Sequence, residues 1–184
     1  MKVARDGTRS VLFVCLGNIC RSPMAEGILR ARAVEAGLAL HVDSAGTAGY
    51  HAGAAPDPRA IRVARAQGTP IDAQRARQFD RRDFSRFDLI LAADAGNLRD
   101  LRALQPQVSQ ARLALLLEWA GLGEGREVPD PYYGRIEDFE QVHALLDRAC
   151  RRITARLLGM AESDPQRDAA DWRCVDQTPP VPLE

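Results

Sequence analysis

Cys15 and Arg21 stand six positions apart in VLFVCLGNICRSPMAEG, with Leu16, Gly17, Asn18, Ile19 and Cys20 between them. A thiolate is a nucleophile, and a guanidinium offers a planar fork of donors that fits two oxygens of one phosphate. Gly17 and Asn18 tolerate the positive φ angles of a tight loop. A short loop running from strand into helix turns main-chain N–H groups inward. Together with the positive end of the helix, it makes a cradle for a tetrahedral dianion. The same surroundings are expected to hold Cys15 as the thiolate, and the Ser22 hydroxyl can donate to it. Alone, Cys15 would read as a buried structural thiol. With the loop and Arg21 it reads as an anionic nucleophile set against an anionic electrophile.

Such a loop needs a strand before it and a helix behind it. Ser10–Val14 is a short β-rich run, read as a buried strand. Ser22-Pro23 predicts an N-cap with proline at the first helical position, Glu26 near the cap and Gly37 as the stop. Residues 38–46 predict a second strand that ends at Ser44. Asp57-Pro58 opens a helix that stops at Gly68. Phe87–Asp94 reads as a third strand, with a helix over AGNLRDLRAL behind it. Residues 111–120 fit either a fourth strand or the start of a helix. After a loop dense in Gly and Pro, Ile136–Leu158 has helical period, with Phe139, Val142, Leu145, Leu146, Ala149, Ile153 and Leu157 on one face. Strands alternating with helices predict an α/β fold: a doubly wound parallel sheet with helices on both faces. Ligands of such sheets bind beyond the carboxyl ends of the strands. Cys15, Ser44 and Asp94 all fall at or just past such an end.

The 184 residues suffice for one α/β domain and are short for two. Residues 1–9 read as an N-terminal extension, 10–159 as the domain, and 160–184 as an irregular or flexible tail that loses periodicity and gains Pro and Asp. With 46% apolar residues a sizeable core can be buried. Twenty-five basic residues balance twenty-five acidic ones, which argues against a nucleic acid or anionic membrane as partner. No apolar stretch approaches a membrane span and MKVARDGTRS lacks the apolar segment of a secretion signal, so a cytoplasmic location is expected. The four cysteines (Cys15, Cys20, Cys150, Cys174) are too scattered for a disulfide framework. No C-x-x-C occurs and His41, His51 and His143 are dispersed, so no metal site is expected.

VCLGNICRSPMAEG, SAGT (Ser44 to Thr47), FDLILAAD and PDPYYG resemble, in order, the four signature segments of the low-molecular-weight protein tyrosine phosphatases. The likeness spans about Ser10 to Leu158. It implies a flavodoxin-like four-stranded parallel sheet flanked by helices, and two-step hydrolysis of a phosphomonoester without metal or other cofactor. Carried onto these positions, Cys15 attacks phosphorus to form a phosphocysteine. Arg21 and the loop backbone from Leu16 hold the equatorial oxygens, with Gly17, Asn18, Ile19, Cys20 and Ser22 in the phosphate cradle. Asp130 becomes the general acid that protonates the leaving phenolate and then activates water. A phosphate dianion beside Asp130 favours its protonated form, so the resemblance implies activity that peaks on the acidic side. Asn18 and Ser44 would pin the loop from behind, joined by Asp94. Tyr132, Tyr133 and, opposite them, Tyr50 would wall a slot for a flat phenyl ring. The implied partner is a phosphotyrosine-containing protein, with a tyrosine kinase among the candidates, for a monomer or weak dimer.

Several positions carry a second reading. Cys20 either forms a disulfide with Cys15 that shields it from oxidation, or is a small packing residue. Cys150 reads as core of the last helix and Cys174 as a tail thiol. The tyrosines could be core aromatics, and the basic stretch RARQFDRRDFSR is more simply a solvated surface than a guide for phosphopeptides. Gln74 stands where many family members carry a histidine. Arsenate reductase on this scaffold needs two further relay cysteines, and none lies between Arg21 and Ala149. Phosphoarginine phosphatases typically carry threonine where this chain has Ile19. A phosphate-binding module without turnover would be expected to lack the nucleophile or the acid, and both are present.

Overall fold

The computed structural model describes residues 1–160. Four strands, β1 (Ser10–Cys15), β2 (His41–Gly46), β3 (Leu89–Ala92) and β4 (Arg112–Leu115), form one sheet in the order β2-β1-β3-β4. All three pairings are parallel. Among the described residues six helices accompany them: α1 (Arg21–Ala36), α2 (Pro58–Ala66), α3 (Asp83–Arg86), α4 (Ala95–Leu104), α5 (Leu116–Trp119) and α6 (Ile136–Leu157). This is the flavodoxin-like doubly wound arrangement that the alternation of strands and helices implies.

Side chains alternate across a strand, and β1 shows why both faces must be covered. Val11 and Phe13 enter the cluster that contains Met24, Ile28 and Leu29 of α1 with Phe139, Leu146 and Ile153 of α6. Leu12 and Val14 enter the opposite cluster with Phe84 of α3 and Leu98 and Leu101 of α4. All four of these β1 side chains are buried, so the strand reads as a continuous apolar run. The chain leaves β1 for β2 through α1 on one face, and β3 for β4 through α4 on the other. The strand order therefore diverges between β1 and β3, which puts the ligand crevice beyond Cys15 and Ala92.

Gly37 closes α1 in the left-handed conformation (φ 65°), as its position predicts. Asp57 caps α2 through a bond from the Arg59 N–H, with Pro58 in the first turn. The ambiguous 111–120 segment is both things at once: β4 ends at Leu115 and α5 begins at Leu116. The third strand is shorter than expected, because Ala93 and Asp94 already turn toward α4. Ahead of β1, the Lys2 N–H donates to Gly37 O (2.7 Å) and the Arg5 N–H to Leu157 O (2.8 Å), so residues 1–9 run along the body. The tail and Cys174 lie outside the described residues. No helix among the described residues is long and apolar enough to cross a membrane.

Candidate active site

The loop from Leu16 to Cys20 leaves the end of β1 and runs straight into α1, whose first residue is Arg21. Ser22 is not the N-cap that Ser-Pro predicts. The cap position is Cys20, which makes no side-chain cap bond. The Ser22 hydroxyl is engaged elsewhere: its Oγ lies 3.0 Å from Cys15 Sγ and accepts from Asn18 Nδ2 at 2.9 Å. Since that oxygen already accepts, its own hydrogen points to Cys15 Sγ or to Ala45 O at 3.4 Å. Among the described residues, the N–H groups of Gly17, Asn18, Ile19, Cys20 and Arg21 meet no protein acceptor. They lie at the positive end of α1, beside the concavity that Gly17, Ile19 and Cys20 line.

The loop's shape is imposed from behind. Asn18 sits in the left-handed region (φ 55°), which asparagine tolerates. Its amide is fully used: Oδ1 accepts from the Arg77 N–H (2.9 Å), while Nδ2 donates to Ser22 and to Ser44 Oγ (2.9 Å). Ser44 in turn donates to Glu26 Oε2 at 2.6 Å. Glu26 is buried. Burial pushes its pKa up, partly offset by the Ser44 hydroxyl and by Arg30. From the sequence Glu26 reads only as a helix-start residue; its role as the far anchor of this chain of bonds was not anticipated. Gly46, at the end of β2, runs so close beneath the loop that a Cβ there would lie 2.7 Å from Leu16 O.

Arg21 is buried, at 4% side-chain exposure, so its charge requires partners. Nη1 donates to Asp94 Oδ2 (2.7 Å) and Val128 O (3.1 Å), and Nη2 to Asp130 Oδ2 (2.7 Å). Burial alone would lower the Arg21 pKa, but Cys15, Asp130 and Asp94 more than offset it and keep the guanidinium charged. Asp94 also caps α4, accepting from the Asn97 N–H at 2.7 Å. One residue thus ties the arginine to a helix end.

In front of the loop opens a cleft of about 290 Å³ lined by Leu16, Gly17, Ile19, Cys20, Tyr50, His51, Asp130, Tyr132 and Tyr133. Tyr50 (68% exposed), Tyr132 (39%) and Tyr133 (98%) are surface side chains, which rules out the core reading of all three. His51, unassigned from the sequence, packs edge-on to Tyr50 with ring centroids 5.1 Å apart. Cys20 is a buried free thiol, with Cys15 free as well. Burial pushes the Cys20 thiol well up, and Asp57 adds to the effect.

Among the described residues, no group of three or more His, Cys, Asp or Glu side chains could hold a metal ion. Among the arginines of the basic stretch, Arg77 pairs with Asp43 and Asp83, Arg82 with Asp80 and Arg86 with Asp83. Gln74 Nε2 donates to Pro23 O (3.3 Å), while its buried Oε1 has no partner among the described residues.

A family model described as low molecular weight phosphotyrosine protein phosphatase matches residues 10–162. The chain belongs to that family. A low molecular weight protein-tyrosine-phosphatase of Streptomyces coelicolor is 44% identical over 160 residues, covering 84% of this chain and 97% of the relative. The crystal structure of YfkJ from Bacillus subtilis superposes with a TM-score of 0.73 at 40% identity, over 82% of this chain and 95% of that one. Vibrio vulnificus Wzb, solved in complex with benzylphosphonate, gives 0.74 at 30% identity, over 82% and 100%. In this low-molecular-weight phosphatase the cysteine loop and PDPYYG line the cleft, while Ser44 and Asp94 hold Asn18 and Arg21 behind it.

Proposed function

We propose that the protein hydrolyses phosphotyrosine in proteins, and small aryl phosphates, through a phosphocysteine. The Cys15 thiolate attacks phosphorus in line, forming an S–P bond as the P–O bond to the phenol breaks. Asp130 gives its proton to the departing phenolate oxygen. Arg21 and the inward N–H groups of Gly17 to Arg21 stabilise the three equatorial oxygens. Water then attacks the phosphocysteine, Asp130 takes its proton, and phosphate leaves with Cys15 again a thiolate. Leu16, Ile19, Tyr50, Tyr132 and Tyr133 form the slot for the phenyl ring. Asn18, Ser22, Ser44 and Asp94 act through the loop and Arg21. Benzylphosphonate, which pairs a phenyl ring with a tetrahedral phosphonate, is the kind of ligand this slot and cradle fit.

The observation that carries this reading is the single guanidinium that reaches from the cradle to Asp130 at 2.7 Å. It puts a carboxyl group at the mouth of the loop whose base holds Cys15. Phosphoproteins are the substrates, and a tyrosine kinase is a candidate among them. The cysteines among the described residues are free thiols, which suits a reducing compartment, so we place the enzyme in the cytoplasm.

The test is turnover of aryl phosphates by two variants. Cys15→Ser is expected to abolish hydrolysis while the fold persists. Asp130→Ala is expected to lower kcat/KM mainly for esters of weakly acidic phenols, by roughly 10²-fold or more. Normal turnover by Cys15→Ser would end the proposal.

A further inference from the structure

Arg59 takes no part in the chemistry above, yet its donors are distributed around the walls of the site. The Asp57 N–H donates to Ile19 O at 2.8 Å, which fastens the cap of α2 to the nucleophile loop. Arg59 grips that cap with a two-pronged contact, Nε to Asp57 Oδ1 (3.0 Å) and Nη2 to Oδ2 (2.8 Å). The rest of the guanidinium crosses the cleft's edge to the segment after Asp130. Nη1 donates to Gly134 O (2.9 Å) and Nη2 to Tyr132 O (2.9 Å). Its flat face lies 4.4 Å above the centroid of the Phe139 ring, which is fully buried in α6.

These bonds matter because of what else holds that segment. Among the described residues, the Tyr132 N–H turns back to Asp130 and the Gly134 N–H to Pro131 O, both inside the loop. Among the described residues, the hydrogen bonds that tie residues 131–134 to the rest of the fold are the two from Arg59. An arginine that only formed a surface ion pair with Asp57 would have no reason to reach both carbonyls.

We propose that Arg59 is a positioning residue. It straps the acid-bearing loop to the helix cap bound to the nucleophile loop, and so, together with the Arg21 contact to Asp130, sets the separation of Asp130 from Cys15. The inference rests on the assignment of Asp130 as the acid. Misplacement of a catalytic group by about 1 Å can cost on the order of 10²-fold, and the loss here should fall on proton delivery alone.

Arg59→Met keeps an apolar stem over Phe139 and removes every donor. Its kcat/KM for phenyl phosphate is expected to fall roughly 10- to 100-fold. That for 2,4-dinitrophenyl phosphate, whose phenolate needs no proton, should change less than about twofold, as should competitive inhibition by inorganic phosphate. In an Asp130→Ala background the same substitution should have no further effect. An equal loss on both esters, full additivity with Asp130→Ala, or wild-type kinetics would overturn the strap. If Arg59→Met does not fold, Arg59→Lys should show the same selective loss at smaller size, and an unselective loss there refutes the idea. A null result for Arg59→Met beside a selective Asp130→Ala sinks only the strap. An unselective Asp130→Ala sinks the acid assignment and the strap together.

Discussion

Asp94 performs two separable tasks with its two oxygens, and replacing it tests whether the Arg21 anchor matters for turnover. Oδ1 caps α4 through the Asn97 N–H, and Oδ2 takes Arg21 Nη1 at 2.7 Å. Removing an N-cap acceptor costs about 1 kcal/mol of stability. Removing a charged hydrogen-bond partner costs about 1.5–3 kcal/mol. The lower range applies here, rather than the 3–5 kcal/mol typical of a stranded buried charge, because Arg21 keeps Asp130 and Val128 O. Asp94→Ala should therefore lose about 2.5–4 kcal/mol in urea unfolding, the sum of the two terms. Asp94→Ser retains an oxygen for the cap but none for Arg21, and should lose about 1 kcal/mol less. Activity should respond differently, because both variants remove the same carboxylate from Arg21 Nη1 and leave it only Val128 O. Each should lose roughly 10- to 100-fold in kcat/KM for an aryl phosphate, to within a factor of about two of one another. An Asp94→Ser enzyme with near wild-type kcat/KM would show that Arg21 needs no such anchor. A large gap between the two variants in activity would show that the helix cap, not the arginine contact, is what turnover senses.

Gly46→Ala places a methyl group 2.7 Å from Leu16 O and 2.9 Å from Ala48 O, both main-chain atoms that cannot swing aside. The nucleophile loop must shift, so inorganic phosphate should inhibit the variant about tenfold more weakly, with about 1–3 kcal/mol lost in stability. Unchanged phosphate inhibition would contradict the close approach. Glu26 gives a pH-dependent prediction. Burial raises its pKa from the ordinary 4.5, so its protonated form favours the fold. That contribution is complete below the unfolded value and is lost as pH rises through the raised one. Glu26→Gln, which cannot titrate, should therefore gain on the wild type between pH 4.5 and neutrality in urea unfolding; a pH-independent difference would reject this.

Elements set by local chemistry were legible in the sequence. Gly37, the Asp57-Pro58 pair and the apolar face of Ile136–Leu157 each mark a boundary or a buried side by themselves. The cysteine-to-arginine loop was legible because its chemistry lies within seven consecutive residues. Ser22 misled, because a serine before proline has the form of a cap whether or not its hydroxyl is needed elsewhere. The arrangement around the site was less accessible. Glu26 meets Ser44, and Arg59 meets the carbonyls of Tyr132 and Gly134, across separations that no periodicity records. Main-chain acceptors such as Val128 O leave no side-chain signature at all.

Arg21 Nη1 spends both of its N–H groups, on Asp94 and on Val128 O, whereas Nη2 spends one of its two on Asp130. The second N–H of Nη2 is left for an oxyanion in the cradle, so the bound ester and the acid hang on neighbouring hydrogens of one nitrogen. Occupancy and readiness are thereby coupled through a single side chain, with no hinge or lid required.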